Sequence, residues 1–148
     1  MIPEDAPVPG DTSLLRRVHP SEIVWDDNDG CPRPGSGVFK DPEMSVHLGD
    51  VLQDEDRAPE TVLAGKPTYS LVSLTAAFVE SEQQEVRRRP IDEDQSHGEV
   101  CGEKPRGRCR LFARTAEFVV LETNSLKPEV LAKMQSAAAD GEDAAPAA

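Results

Sequence analysis

The chain has 148 residues, of which 16 are basic and 28 acidic, giving a formal net charge of -12. That balance excludes indiscriminate binding to nucleic acid or to an anionic membrane surface, because either would repel the chain as a whole. With 37% hydrophobic and 4% aromatic residues the core must be small, and the length fits one domain with tails.

Residues 1–13 hold Pro3, Pro7 and Pro9 and show no apolar period, so they are expected to form a disordered tail. The compact unit is expected over residues 14–122. Within it, Leu14 to His19 and Ile23 to Trp25 read as strands separated by Pro20 and Ser21. Asp26 to Gly35 is rich in Asp, Asn, Pro and Gly and reads as a long loop. Val38 to Lys40 and Met44 to Leu48 alternate around Asp41 and Pro42, which predicts a pair of strands. Residues 50–65 carry a weak helical pattern with Pro59 suited to a first turn.

Tyr69 to Val79 is the most apolar segment and predicts a buried strand running into a helix capped by Ser73 or Thr75. Val86 starts a short basic strand stopped by Pro90. Gly98 to Gly102 predicts a strand in close contact with other backbone, since glycines flank Val100 and Cys101. Arg106 to Ala116 has Cys109, Phe112, Ala113 and Ala116 at helical spacing with arginines facing out. Phe118 to Leu121 is a final strand. Residues 123–135 then hold a short helix, and 136–148, made of small residues and acids, are expected to be a second tail. Short strands and few helices without a βαβ rhythm predict an α+β domain of mainly antiparallel strands with two or three short helices.

No run reaches the ~18 to 20 apolar residues of a membrane helix, and the acidic start lacks a basic lead and an apolar run. The protein is therefore expected to be soluble and cytoplasmic. Cys31, Cys101 and Cys109 are odd in number and without framework spacing, which suits reduced thiols.

Several chemistries lack their signatures. Asp27, Asp29 and Gly30 fit positions of a calcium loop, but Trp25 and Ser36 stand where carboxylates are required. Ser36 between Gly35 and Gly37 resembles a nucleophile elbow without its first glycine, since Pro34 stands there. His97 and the three cysteines offer no C-x2-C or H-x3-H pair, so no metal site is expected, and no cofactor motif is present. His47, on an apolar strand, reads as a packed residue.

The remaining signal is a charge reversal. Arg87, Arg88, Arg89, Lys104, Arg106, Arg108, Arg110 and Arg114 fall within residues 87–114, which carry five acids. Lys104, Arg106, Arg108 and Arg110 alternate around Gly107 at a helix start, combining guanidinium forks with free backbone N–H groups. They are the expected ligand-binding residues, for an anionic ligand or an acidic protein partner. Only Phe112 and Phe118 lie nearby for stacking, which disfavours a specific nucleic-acid platform. Oligomeric state is not legible.

Arg16-Arg17-Val18-His19-Pro20, the run from Arg33 to Asp41, Met44-Ser45-Val46, the run from Leu71 to Ala76 and that from His97 to Lys104 resemble a pattern of small uncharacterised bacterial proteins. That resemblance implies a single domain and carries no activity. A second similarity is to ADP-ribosyltransferase-like domains, in which an arginine or histidine on a first strand, a serine-bearing strand and a later glutamate line a nicotinamide pocket. It implies a nucleotide-handling enzyme with Arg17 or His19, Ser36 or Ser45, and Glu99 as its catalytic set.

Overall fold

The computed structural model describes residues 1–143, with side chains as far as residue 139. Strand β1 (Ser13–Val18) buries both faces: Leu14 and Val18 enter the main core, while Leu15 enters a smaller cluster on the opposite side. Side chains alternate along a strand, so a strand buried on both sides belongs in the middle of a sheet. Its neighbours are β4 (Glu43–Leu48) and β5 (Ser70–Thr75). Outside these lie β7 (His97–Cys101) and the edge strand β6 (Glu85–Arg88) on one side, and the edge strand β8 (Glu117–Val120) on the other. The order β6-β7-β4-β1-β5-β8 is antiparallel throughout.

A separate hairpin of β2 (Ile23–Asp26) and β3 (Cys31–Pro34) covers the main core together with four helices' worth of apolar faces. The helices are α1 (Gly49–Asp54), α2 (Ala76–Ser81), α3 (Arg106–Thr115) and α4 (Pro128–Asp143). Ile23, Val79, Phe112, Ala113 and Val130 meet Leu14, Val46, Val72 and Val100 of the sheet in one cluster. On the other sheet face, Leu52 of α1 and Val62 of a 3₁₀ turn (Pro59–Leu63) cover Leu15 and Leu71. The architecture is thus a single α+β domain, and no helix among the described residues is long and apolar enough to cross a membrane.

Two local outcomes differ from the sequence reading. The expected loop at 26–35 contains β3, because Asp26 accepts from the N–H groups of Asn28 and Asp29, Gly30 turns at φ 65°, and Arg33 bonds back to Asp26 and Asp29. Pro32 and Pro34 are tolerated since this is a two-stranded edge. Val38 to Lys40 is not a strand. Ser36–Phe39 forms a 3₁₀ turn, which lets the consecutive residues Val38 and Phe39 both face the core, as strand alternation would not.

The termini also carry more structure than composition suggests. Ile2 and Val8, within the segment 1–13 expected as a tail, pack on the main core. Arg88, its side chain 4% exposed, donates to the carbonyls of Ala6 (2.9 Å) and Pro7 (3.1 Å) and holds the Asp50 carboxylate at 2.6 Å. One buried arginine far along the chain does this ordering, which no local pattern announces. At the other end, α4 continues through residues 136–143 of the expected second tail, helped by the helix-forming run Ala137 to Ala139. Residues 144–148 of that expectation lie outside the described residues.

One irregularity positions the site. Strands β1 and β4 pair only at Leu14↔Leu48 and Leu15↔His47, after which they part. Arg16 bridges the gap, donating to Ser45 O at 2.7 Å and to Val38 O at 2.8 Å. Burial lowers the Arg16 pKa, yet a guanidinium remains charged at any ordinary pH.

Candidate anion site

The residues expected at the start of α3 are partly engaged elsewhere. Lys104 donates to the carbonyls of Val100 (2.8 Å) and Gly102 (3.2 Å), closing the end of β7, and burial lowers its pKa. Arg108 donates to Glu103 O at 2.9 Å and lies 3.9 Å from the Glu82 carboxylate. Arg106 and Arg110 are exposed and, among the described residues, make no ion pair. Two arginines on a solvated helix face are a weaker anion site than four converging cations.

The set implied by the ADP-ribosyltransferase-like similarity is divided by the sheet. Arg17 and Ser45 lie on the face opposite the main core, as does Glu99, which is the cross-strand partner of Ser45. Glu99 is held by Arg89 at 3.0 Å. His19 follows β1, bonds the hydroxyl of Ser21 at 2.7 Å and sets its ring edge-on to Tyr69. Ser36 opens the 3₁₀ turn whose Val38 and Phe39 belong to the main core, so it sits on the other side of the sheet.

Where β1 and β4 part, a crevice of about 390 Å³ opens, lined by Arg16, Arg17, Ser45, His47, Lys66, Tyr69, Ile91 and His97. Each element contributes for a local reason. Alternation along β4 sends Met44, Val46 and Leu48 to the core and Ser45 and His47 to the opposite face. Antiparallel pairing of β4 with β7 then sets His97 directly across from His47, their ring centroids 6.5 Å apart. A tight turn, Tyr69 N–H to Lys66 O, brings the Lys66 ammonium to 4.9 Å from the Tyr69 ring centre.

Charge in the crevice is lopsided because the nearby carboxylates are already taken. Asp94 accepts from His47 Nδ1 at 3.1 Å and from Arg57 at 3.4 Å, and Glu99 is bound to Arg89. Arg17 makes only a marginal contact, 3.5 Å to Val62 O. Burial pushes the His47 imidazole below its ordinary range, and Arg17 and His97 add to that, against the opposing pull of Asp94. His47 is therefore neutral at pH 7.

The geometry also bears on catalysis. Ser45 Oγ lies 3.4 Å from His97 Nε2, and His97 Nδ1 lies 2.7 Å from Arg89 O. This resembles a nucleophile and base, but 3.4 Å is looser than the reach such pairs use, and a backbone carbonyl replaces the carboxylate that would stabilise an imidazolium. Among the described residues, no group of three or more His, Cys, Asp or Glu gathers as metal ligands. Cys109 instead donates its thiol toward Lys104 O at 3.2 Å.

Sequence reading missed Ser45, His47, Lys66, Tyr69 and His97 as one site. The alternation that places Ser45 and His47 off the core was visible; the pairing that brings residue 97 to residue 47 was not. Compared with protein families, curated proteins and solved structures, the chain has no match.

Proposed function

We propose that this chain is a small binding protein for an anionic ligand, and that the ligand seats in the crevice between β1 and β4. The observation that carries this is the pairing of Arg17 and Lys66 in a concave site whose neighbouring carboxylates are already neutralised. Its volume falls within the range of small-molecule sites, about 300 to 1,000 Å³. Titration calorimetry with sulfate and pyrophosphate tests it. Arg17→Gln with Lys66→Gln weakens binding at least about tenfold, roughly 1.4 kcal/mol, while Arg106→Gln with Arg110→Gln leaves it unchanged. The reverse pattern places the ligand at the start of α3 instead.

The alternative is a nucleotide-handling enzyme of ADP-ribosyltransferase-like type. It draws support from Arg17, Ser45 and Glu99 sharing one sheet face. The Arg89 pairing of Glu99 weighs against it. Release of nicotinamide from NAD by the protein, lost in Glu99→Gln, would favour this reading over simple binding.

A further inference from the structure

We infer that anion binding in the crevice is coupled to proton uptake by His47 and His97, so that the protein captures its ligand as pH falls and releases it as pH rises. This rests on the crevice being the anion site. It follows from how the two rings are held.

Each imidazole has its Nδ1 facing a group that only accepts. For His97 that group is Arg89 O at 2.7 Å, so Nδ1 carries the hydrogen of the neutral ring. For His47 it is Asp94 Oδ2 at 3.1 Å. The Ser96 hydroxyl, 3.2 Å from the same nitrogen, gives its own proton to Asp94 Oδ1 at 2.6 Å, so it too accepts from His47. In both neutral rings Nε2 is therefore a lone pair. His97 Nε2 faces Ser45 Oγ within the crevice. His47 Nε2 makes no hydrogen bond among the described residues, and His47 is one of the residues that line the crevice.

Imidazole lone pairs lining a site repel an anion; imidazolium N–H groups bind it. Protonation thus converts the crevice from two cations and two acceptors into a ring of donors. The surroundings supply the coupling. Arg17 opposes a further positive charge on His47, as His97 does once it too is charged, and an anion in the crevice removes that opposition. Behind His47 stand Asp94 and its partner Arg57; beside His97 run the Arg89–Glu99 pair and Ser45; Lys66 and Tyr69 line the same crevice from the segment before β5. Burial of His47, which keeps it neutral when the site is empty, agrees with this arrangement.

Sulfate is the probe of choice, because its own charge is constant over the range in which histidine titrates. For the whole chain, calorimetry between about pH 8 and pH 5, in buffers of differing ionisation enthalpy, gives both affinity and protons taken up. Binding tightens by up to about tenfold per pH unit for each proton absorbed. His47→Gln and His97→Gln each reduce the slope of affinity against pH, and the double variant flattens it. The proton count on the unaltered protein stands even if a variant fails to fold. Sulfate bound with constant affinity and no proton uptake overturns the coupling and leaves the crevice as an anion site. Absence of sulfate binding at every pH overturns the crevice reading and the coupling with it, and an undiminished slope in the double variant overturns the assignment to these histidines.

Discussion

Asp94 sits in the connection between β6 and β7, and its two oxygens serve three residues. One accepts from the Ser96 backbone N–H (2.9 Å), the Ser96 hydroxyl (2.6 Å) and Arg57 (3.4 Å), and the other from His47 (3.1 Å). Burial works against its charge, but the two Ser96 bonds, His47 and Arg57 together outweigh that and hold the carboxyl below its ordinary value of 3.8. A carboxyl depressed in the folded state contributes stability above 3.8 that is lost as pH falls through its folded value. The lowered His47 pKa has the same sign at higher pH: between its folded value and the ordinary 6.5 the unfolded chain binds more protons, so stability falls on acidification there too. Urea midpoints measured from neutral to acid pH are expected to decline in these two windows. In Asp94→Asn the lower window shrinks, and stability at pH 7 drops by about 1 to 3 kcal/mol as the charge and one of the two accepting oxygens are lost; an unchanged acid profile would show that Asp94 is not the group responsible.

At the scale of elements, β7 is held so closely that a side chain at one of its glycines would force a neighbour to shift. A Cβ on Gly98 would meet Arg87 O at 2.9 Å and Leu48 Cγ at 3.0 Å, and the first of these is backbone that cannot swing away. Gly98→Ala is expected to cost about 1 to 3 kcal/mol, read from the urea midpoint, whereas Gly37→Ala, with open space around the new methyl, is nearly silent. The glycines around Val100 had already pointed to close backbone approach, and the strands over 13–18, 43–48 and 70–75 and the Thr75-capped helix were legible from apolar patterning for the same local reason. What was not legible depends on distant pairing. The turn at 36–39 is set by a core that needs Val38 and Phe39 together, and β3 by arginine clamps to a preceding acidic turn. In the crevice, Arg17 was visible as a strand cation, but its companions on β4 and β7 become neighbours only through strand order. At the basic run 104–110 the sequence shows charge without showing that Lys104 and Arg108 also donate to backbone carbonyls.

For the whole molecule, Arg88 ties together parts that share no local sequence: edge strand β6, helix α1 through Asp50, and the N-terminal segment through Ala6 and Pro7. Arg88→Met strands a mostly buried carboxylate and removes the donor from two carbonyls, which is expected to cost about 3 to 5 kcal/mol in urea unfolding. Arg88→Met with Asp50→Leu recovers part of that loss, since the unpaired charge is gone. Equal stability of the single and double variants would mean that the unpaired Asp50 carboxylate is not the source of the loss.

The parting of β1 from β4 divides the sheet into two three-stranded leaves, β6-β7-β4 and β1-β5-β8, stitched at two residue pairs and by Arg16. Each leaf is knit by longer ladders of its own, so the line between them is where the sheet bends at least cost. Arg17, Lys66 and Tyr69 belong to one leaf and Ser45, His47 and His97 to the other. Whatever fills the crevice is a rivet through that line, fastening two leaves that the backbone barely joins.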